Sequence, residues 1–302
     1  MSYKIILTKY FLSAFHVTPL FYKNRFTRVS DNDFIKNINK LILFNIKVDK
    51  IRGIREIATV KRPLPFGLVY QDNNLAIINK KSAIPIYLNT YKNCLTICDY
   101  INIITLNKKI SGNKYYSGLI HRIDKLSTGI VMQAKNITIF KQFKLKFEKK
   151  FVFKYYQILC FGKTKEHFSL TTYHNREVNR RTRYSSKVNK SSNLNRIAYS
   201  KYQIINTSNE ISRLHVNIVT GRTHQIRVQM SEIGKPIVGD SLYSKKSLSM
   251  KVYKTNMQIF KVVSAKRTIF LHSERITFLH PLKNKKILFY CKPPDVFNKF
   301  YL

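Results

Sequence analysis

His121-Arg122-Ile123-Asp124-Lys125-Leu126-Ser127-Thr128-Gly129-Ile130-Val131-Met132 sets an acid among basic side chains, follows it with two hydroxyls and a glycine, and then turns apolar. The apolar run is short and partly β-branched, so it reads as a buried strand. Beyond it, Phe140, Phe143 and Phe147 recur at helical spacing and form one face of an amphipathic helix. A loop carrying a carboxylate therefore leads into a strand and then a helix. Basic neighbours favour the charged form of that carboxylate, which can then act as nucleophile or base. By spacing alone, however, an acid beside an arginine is first of all a structural ion pair. His-Arg-x-Asp also resembles the kinase catalytic loop, but neither a Gly-rich phosphate loop nor an Asp-Phe-Gly segment accompanies it.

Upstream, Leu68-Val69-Tyr70, the polar turn Gln71-Asp72-Asn73-Asn74 and Leu75-Ala76-Ile77-Ile78 read as a β-hairpin. Downstream, Phe153 to Phe161 is rich in aromatic and branched residues, a strand that includes Tyr156 and ends at Gly162. Residues 163–200 are polar and crowd Arg176, Arg180, Arg181, Arg183, Lys187 and Lys190 together, which predicts a basic loop or ribbon. Leu214, Val216 and Ile218 alternate with polar residues as a half-buried strand does. That strand enters Gly221-Arg222-Thr223-His224-Gln225-Ile226-Arg227, where a glycine opens a short helix closed by Gly234. Arg222, His224 and Gln225 face an anion or a base edge in the functional reading, or cap an ordinary basic helix in the plainer one. Arg275 to Phe278 and Lys286 to Tyr290 supply two more strands. The sum is an α+β fold, a mainly antiparallel mixed sheet with flanking helices.

The chain has 302 residues, enough for one good-sized core, and a hydrophobic fraction of 44% argues against wholesale disorder. Its 55 Lys and Arg against 15 Asp and Glu give a formal charge of +40, typical of proteins that sit against phosphate. An AT-rich coding sequence would favour the same Lys, Asn, Ile, Phe and Tyr, so charge alone does not settle the partner. Cys94, Cys98, Cys160 and Cys291 form no CxxC pair and read as buried free thiols, with no metal site. No apolar run approaches the roughly 18–20 residues that cross a bilayer, so no membrane partner is expected. Residues 1–30 lack Asp and Glu, while Lys4, Lys9, Lys23, Arg25 and Arg28 alternate with aromatics and hydroxyls, as in organellar transit peptides. Because acids are scarce throughout, the expected location is cytoplasmic, with a mitochondrion or other organelle as the alternative.

Residues 1–62 form an N-terminal extension in which Ile35 to Val48 reads first as a short plain helix, with the remnant of an RNA-binding module or a targeting segment as the alternatives. Lys61-Arg62-Pro63-Leu64-Pro65 is an extended connector, and residues 63–302 form the candidate catalytic domain.

Taken in order, the segments over roughly residues 64–294 resemble the RluA-type family of pseudouridine synthases. The hairpin ends at Ile78-Asn79-Lys80, and His121 to Asp124 follows. Lys154-Tyr155-Tyr156 with Gly162 comes next, then Gly221 to Arg227. Pro236-Ile237-Val238-Gly239-Asp240 precedes Leu242-Tyr243, and Leu271-His272 and His280-Pro281 close the series. The resemblance implies the pseudouridine synthase catalytic fold and isomerisation of an RNA uridine without a cofactor, since the reaction has no net redox change or outside reactant. It implies Asp124 as catalytic aspartate, Tyr156 as the aromatic packed on the target base, Arg227 as the partner orienting Asp124, and Arg122 as the side chain that fills the gap left by the extruded nucleotide. Candidate RNA contacts are His121, Arg122, Arg222, His224, Arg180, Arg181 and Arg183. The expected partner is RNA, ribosomal before transfer RNA, and the expected state a monomer; the rival is an inactive RNA-binding or ribosome-assembly protein of the same fold. The chain departs from the family pattern at Lys81 and Ala83, where proline and glycine are usual, which predicts a less rigid turn. It departs again at Gln229, where histidine is usual, and at Ser244, where glycine is.

Overall fold

A computed structural model describes residues 65–87, 95–104, 117–176, 184–187, 196–208, 210–244, 261, 263, 268–281 and 285–298. The hairpin is present as β1 (Phe66–Gln71) and β2 (Leu75–Lys80), followed by helix α1 (Ile97–Ile104), β3 (Thr128–Ala134), helix α2 (Ile137–Glu148) and β4 (Val152–Phe161). Then come β5 (His167–Arg176), β6 (Tyr184–Lys187), β7 (Arg196–Thr207), β8 (Ile211–Ile218), helix α3 (Gln225–Glu232), β9 (Leu271–Leu279), β10 (Lys286–Tyr290) and a 3-10 turn, Asp295–Phe297. The strands form one sheet in the order β1-β2-β3-β9-β4-β8-β7-β5-β6, with β10 also on β9. Among the described strands every pairing is antiparallel except β3 with β9, where Thr128 faces His272 and Gly129 faces Ser273. This is the mixed α+β sheet that the alternation predicts.

β3 is buried along its whole length, which explains why it reads as a continuous apolar run rather than an alternating one. On one face of the sheet α2 covers β2, β3, β9 and β10: Phe143 is fully buried and meets Phe278 edge-on at 4.9 Å, while Phe140 and Phe147 pack at the margin. Asn136 starts the helix by accepting the Ile139 N–H at 2.9 Å, satisfying a donor left open in the first turn. The other face joins β4, β8, α3 and the C-terminal turn in a larger core that includes Tyr156. Cys98, Cys160 and Cys291 are buried free thiols, and Cys94 lies outside the described residues.

The basic stretch 163–200 contributes three strands, with β5 paired to both β6 and β7. Their pattern is hard to read because inward positions carry small or polar side chains, among them Thr172, Ala198 and Ser200. Gln229 of α3 serves them. Its side-chain oxygen accepts from Ser200 and Tyr202, and its nitrogen donates to the Leu170 and Ala198 carbonyls and to Thr172 Oγ1.

The turn after β2 is not loose. Ala83 has φ +70°, the left-handed conformation that suits glycine. The fully buried Lys80 closes the turn by donating to the carbonyls of Lys81, Ile84 and Lys125 at 2.9–3.0 Å. A clamp of three charge-assisted bonds replaces the rigidity that proline would supply. Residues 1–62 and the connector up to Leu64 lie outside the described residues, as do Arg180, Arg181 and Arg183.

Candidate active site

The loop before β3 places Asp124 in the lining of a cleft of about 490 Å³. Its walls come from that loop, the end of α2, β4 and the segment from Ile218 to Ile226. Two close backbone approaches hold the loop and its partner in place. At Gly129 φ is +108° and a Cβ would fall 2.2 Å from the Ser273 carbonyl oxygen, so the crossing of β3 and β9 admits only glycine. At Gly239, with φ +82°, a Cβ would fall 2.3 Å from the Thr268 oxygen, and the same reasoning applies just before Asp240.

Arg227 on α3 links two acids. Its Nη1 donates to Asp124 Oδ2 at 3.0 Å, while Nε and Nη2 donate to Asp240 Oδ2 and Oδ1 at 2.7 and 2.9 Å. Asp240 is buried and also accepts the N–H groups of Leu242 and Tyr243, so this bidentate pair is fixed from behind. Burial works against the charge of Arg227, but the bonds and charges of Asp240 and then of Asp124 outweigh it and raise its pKa. The Tyr243 ring lies under the guanidinium, 5.1 Å from its carbon. The structure thus brings Asp124 and Arg227 together across 103 positions of sequence.

Tyr156 enters the cleft from the centre of β4, almost fully buried, and its hydroxyl bonds Ser273. Burial raises its pKa, so the phenol keeps its proton at neutral pH. His224 begins α3 in a left-handed conformation, φ +57°. Its Nδ1 shares a 2.9 Å hydrogen bond with the Tyr243 hydroxyl, and its Nε2 lies 3.9 Å from Asp124 Oδ1. Burial lowers its pKa, partly offset by Asp124. Lys80 bonds the carbonyl of Lys125, the residue after Asp124; burial pushes its pKa down to about 7 while the Asp124 charge acts in the other direction.

The remaining candidates divide. Arg122 is exposed on the cleft wall, and so is Arg222, whose Nε donates to the Ile197 carbonyl. His121 lines the cleft but accepts the Met132 N–H through Nε2 and stacks on Phe147; burial and then Lys154 lower its pKa to about 3, so it brings no positive charge. Gln225 is turned inward, bonding Thr220, Ser200, the Tyr199 carbonyl and the Arg222 N–H, which leaves it nothing to offer a ligand. For Gln225 the plainer helix-cap reading is the right one. Asp240 and Lys80 were legible only as members of ordered motifs; their contacts with Arg227 and the Asp124 loop had no local signal. Among the described residues no group of three or more His, Cys, Asp or Glu side chains could hold a metal, and no helix is long and apolar enough to cross a membrane.

Residues 74–232 match the family of RNA pseudouridylate synthases. An uncharacterised RNA pseudouridine synthase of Aquifex aeolicus is 25% identical over 242 residues, 79% of this chain and 72% of its own. The ribosomal large subunit pseudouridine synthase D of Blochmanniella floridana is 27% identical over 240 residues, covering 74% and 68%. In structure, human RNA pseudouridylate synthase domain containing 4 superposes with a TM-score of 0.59 at 20% identity, covering 85% of this chain and 95% of its own. Fold and sequence together define an RNA-modifying isomerase. The chain belongs to the RNA pseudouridylate synthase family, and within it to the RluA type.

Proposed function

We propose that this pseudouridine synthase modifies a specific uridine of large-subunit ribosomal RNA and that Asp124 is its nucleophile. The observation that carries the assignment is the chain Asp240–Arg227–Asp124, buried at its first two members, which holds Asp124 in the cleft that Tyr156 also lines. Arg227 occupies Oδ2 of Asp124, while Oδ1 has no hydrogen bond among the described residues. An acid held by one oxygen and open at the other is oriented for attack, which is what a nucleophilic carboxylate requires.

Conversion of uridine to pseudouridine breaks the bond between base nitrogen and ribose, turns the base and joins its carbon 5 to the anomeric carbon. The target base must leave its stack, at a cost of a few kcal/mol. Stacking on Tyr156 offsets about 1–3 kcal/mol of this, and the exposure of Arg122 in the cleft lining supports a role in meeting the neighbours left behind. The protonated phenol of Tyr156 is suited to stacking and not to removing the carbon-5 proton. The relatives named for the ribosomal large subunit support ribosomal RNA as substrate.

Pseudouridine mapping of ribosomal and transfer RNA incubated with the purified enzyme tests both parts. A new pseudouridine in large-subunit RNA is expected with wild type, and a loss of at least about 10³-fold in rate with Asp124→Asn, whose fold and RNA binding persist. Modification confined to transfer RNA would overturn the substrate, and wild-type turnover by Asp124→Asn would overturn the nucleophile.

A further inference from the structure

Lys154 stands two residues before Tyr156 on β4 and has no part in the reading above. Alternation along a strand puts such residues on one face about 6.6 Å apart, and both line the cleft. The Lys154 ammonium lies 5.5 Å over the Phe147 ring and close against Gly221, where a Cβ would come within 3.2 Å of Nζ. Gly221 therefore leaves open the space into which the ammonium reaches. No hydrogen bond or ion pair to Lys154 is found among the described residues, although Glu148 lines the same cleft. Burial without a counter-ion pulls its pKa down to about 8. The other cleft arginines differ: Arg122 is exposed, and Arg222 is exposed with Nε already bonded to a carbonyl.

A desolvated cation facing an open cleft is costly unless a ligand brings the anion. The cleft takes RNA, whose only formal negative charges are its phosphodiesters, and a compact ammonium suits a phosphate as a point charge. We propose that Lys154 binds one backbone phosphate adjacent to the target nucleotide, so that base and backbone of the flipped residue are seated on neighbouring same-face positions of a single strand. The inference rests on Tyr156 being the residue that receives the base.

Lys154→Met keeps the aliphatic stem and removes the charge. On a ribosomal RNA hairpin carrying the mapped uridine, this change is expected to raise KM by about tenfold or more, with a much smaller change in kcat, and Lys154→Arg to recover most of the loss. A single methylphosphonate, placed in turn on each side of the target, is expected to weaken wild-type binding at one of the two linkages and to have no further effect there in Lys154→Met. With a short oligouridine, fluorescence anisotropy across a potassium chloride series is expected to give a log–log salt slope shallower by about 0.7 in the variant. An unchanged slope, or equal sensitivity of wild type and variant to both methylphosphonates, overturns the proposal. If Lys154→Met does not fold, wild-type indifference to both methylphosphonates overturns it. A shallower slope in a protein that makes no pseudouridine would instead fail the functional reading and leave the phosphate contact standing.

Discussion

Of the two oxygens of Asp124, Oδ2 accepts from Arg227 and Oδ1 faces His224 across 3.9 Å, and the difference is maintained by a residue that does not touch the cleft. Asp240 is absent from the cleft lining, yet it takes two of the three hydrogen bonds that Arg227 makes. Asp240→Asn replaces one acceptor oxygen with a donor that opposes the guanidinium, so Arg227 shifts and Asp124 with it. Turnover is expected to fall by roughly 10²-fold while RNA affinity changes much less. Single-turnover kinetics beside a binding titration separate these effects, and an equal loss in both would mean that Asp240 supports only the fold. Among residues read from the sequence, Asp124 and Arg227 were both named through the ordered motifs, since by spacing alone an acid beside an arginine reads as a structural ion pair. Lys154 was named only as part of its ordered motif, and its lack of a counter-ion had no signal in a chain this basic.

At the scale of elements, α3 contributes in two directions. Arg227 points to the site, while Gln229, fully buried, binds the inward faces of β5 and β7. Gln229→Leu would strip five hydrogen bonds and leave the Ser200 and Tyr202 hydroxyls and the Leu170 and Ala198 carbonyls without that partner. A loss on the order of 2–5 kcal/mol is expected in urea unfolding followed by circular dichroism, each buried orphan costing about 1–3 kcal/mol. The same polar contacts explain what the sequence concealed. Leu214, Val216 and Ile218 of β8 alternate with polar residues and show their strand openly, and α2 shows its Phe stripe. β5 and β7 turn Thr172, Ala198 and Ser200 inward, so hydrophobic periodicity fails there and only a basic ribbon can be inferred. The order of strands was hidden for a different reason: pairings such as β3 with β9 join residues 144 positions apart.

For the molecule as a whole, two desolvated imidazoles, those of His272 and His121, set an acid limit. His272 Nε2 donates to the Cys291 carbonyl and Nδ1 accepts from Thr128, a neutral tautomer; burial lowers its pKa to about 4, and that of His121 to about 3. Both lie below the ordinary value of about 6.5, so the unfolded chain binds protons first as pH falls. Their stabilising contribution is complete above about pH 6.5 and is lost progressively down to the folded values. Urea midpoints are expected to drop between pH 7 and pH 4.5 by an equivalent of roughly 1–3 kcal/mol for His272, and His272→Gln to flatten that dependence. A flat wild-type profile would show that His272 can charge in place. β9, which carries His272, also has a temporal consequence. It sits in the sheet between β3 and β4 but is translated after both, so the strands flanking it cannot close until the residues beyond about position 270 have been made. High contact order slows such closure, and a nascent chain already bearing Asp124, Tyr156 and Arg227 has no completed cleft until β9, whose Leu271 lines it, arrives.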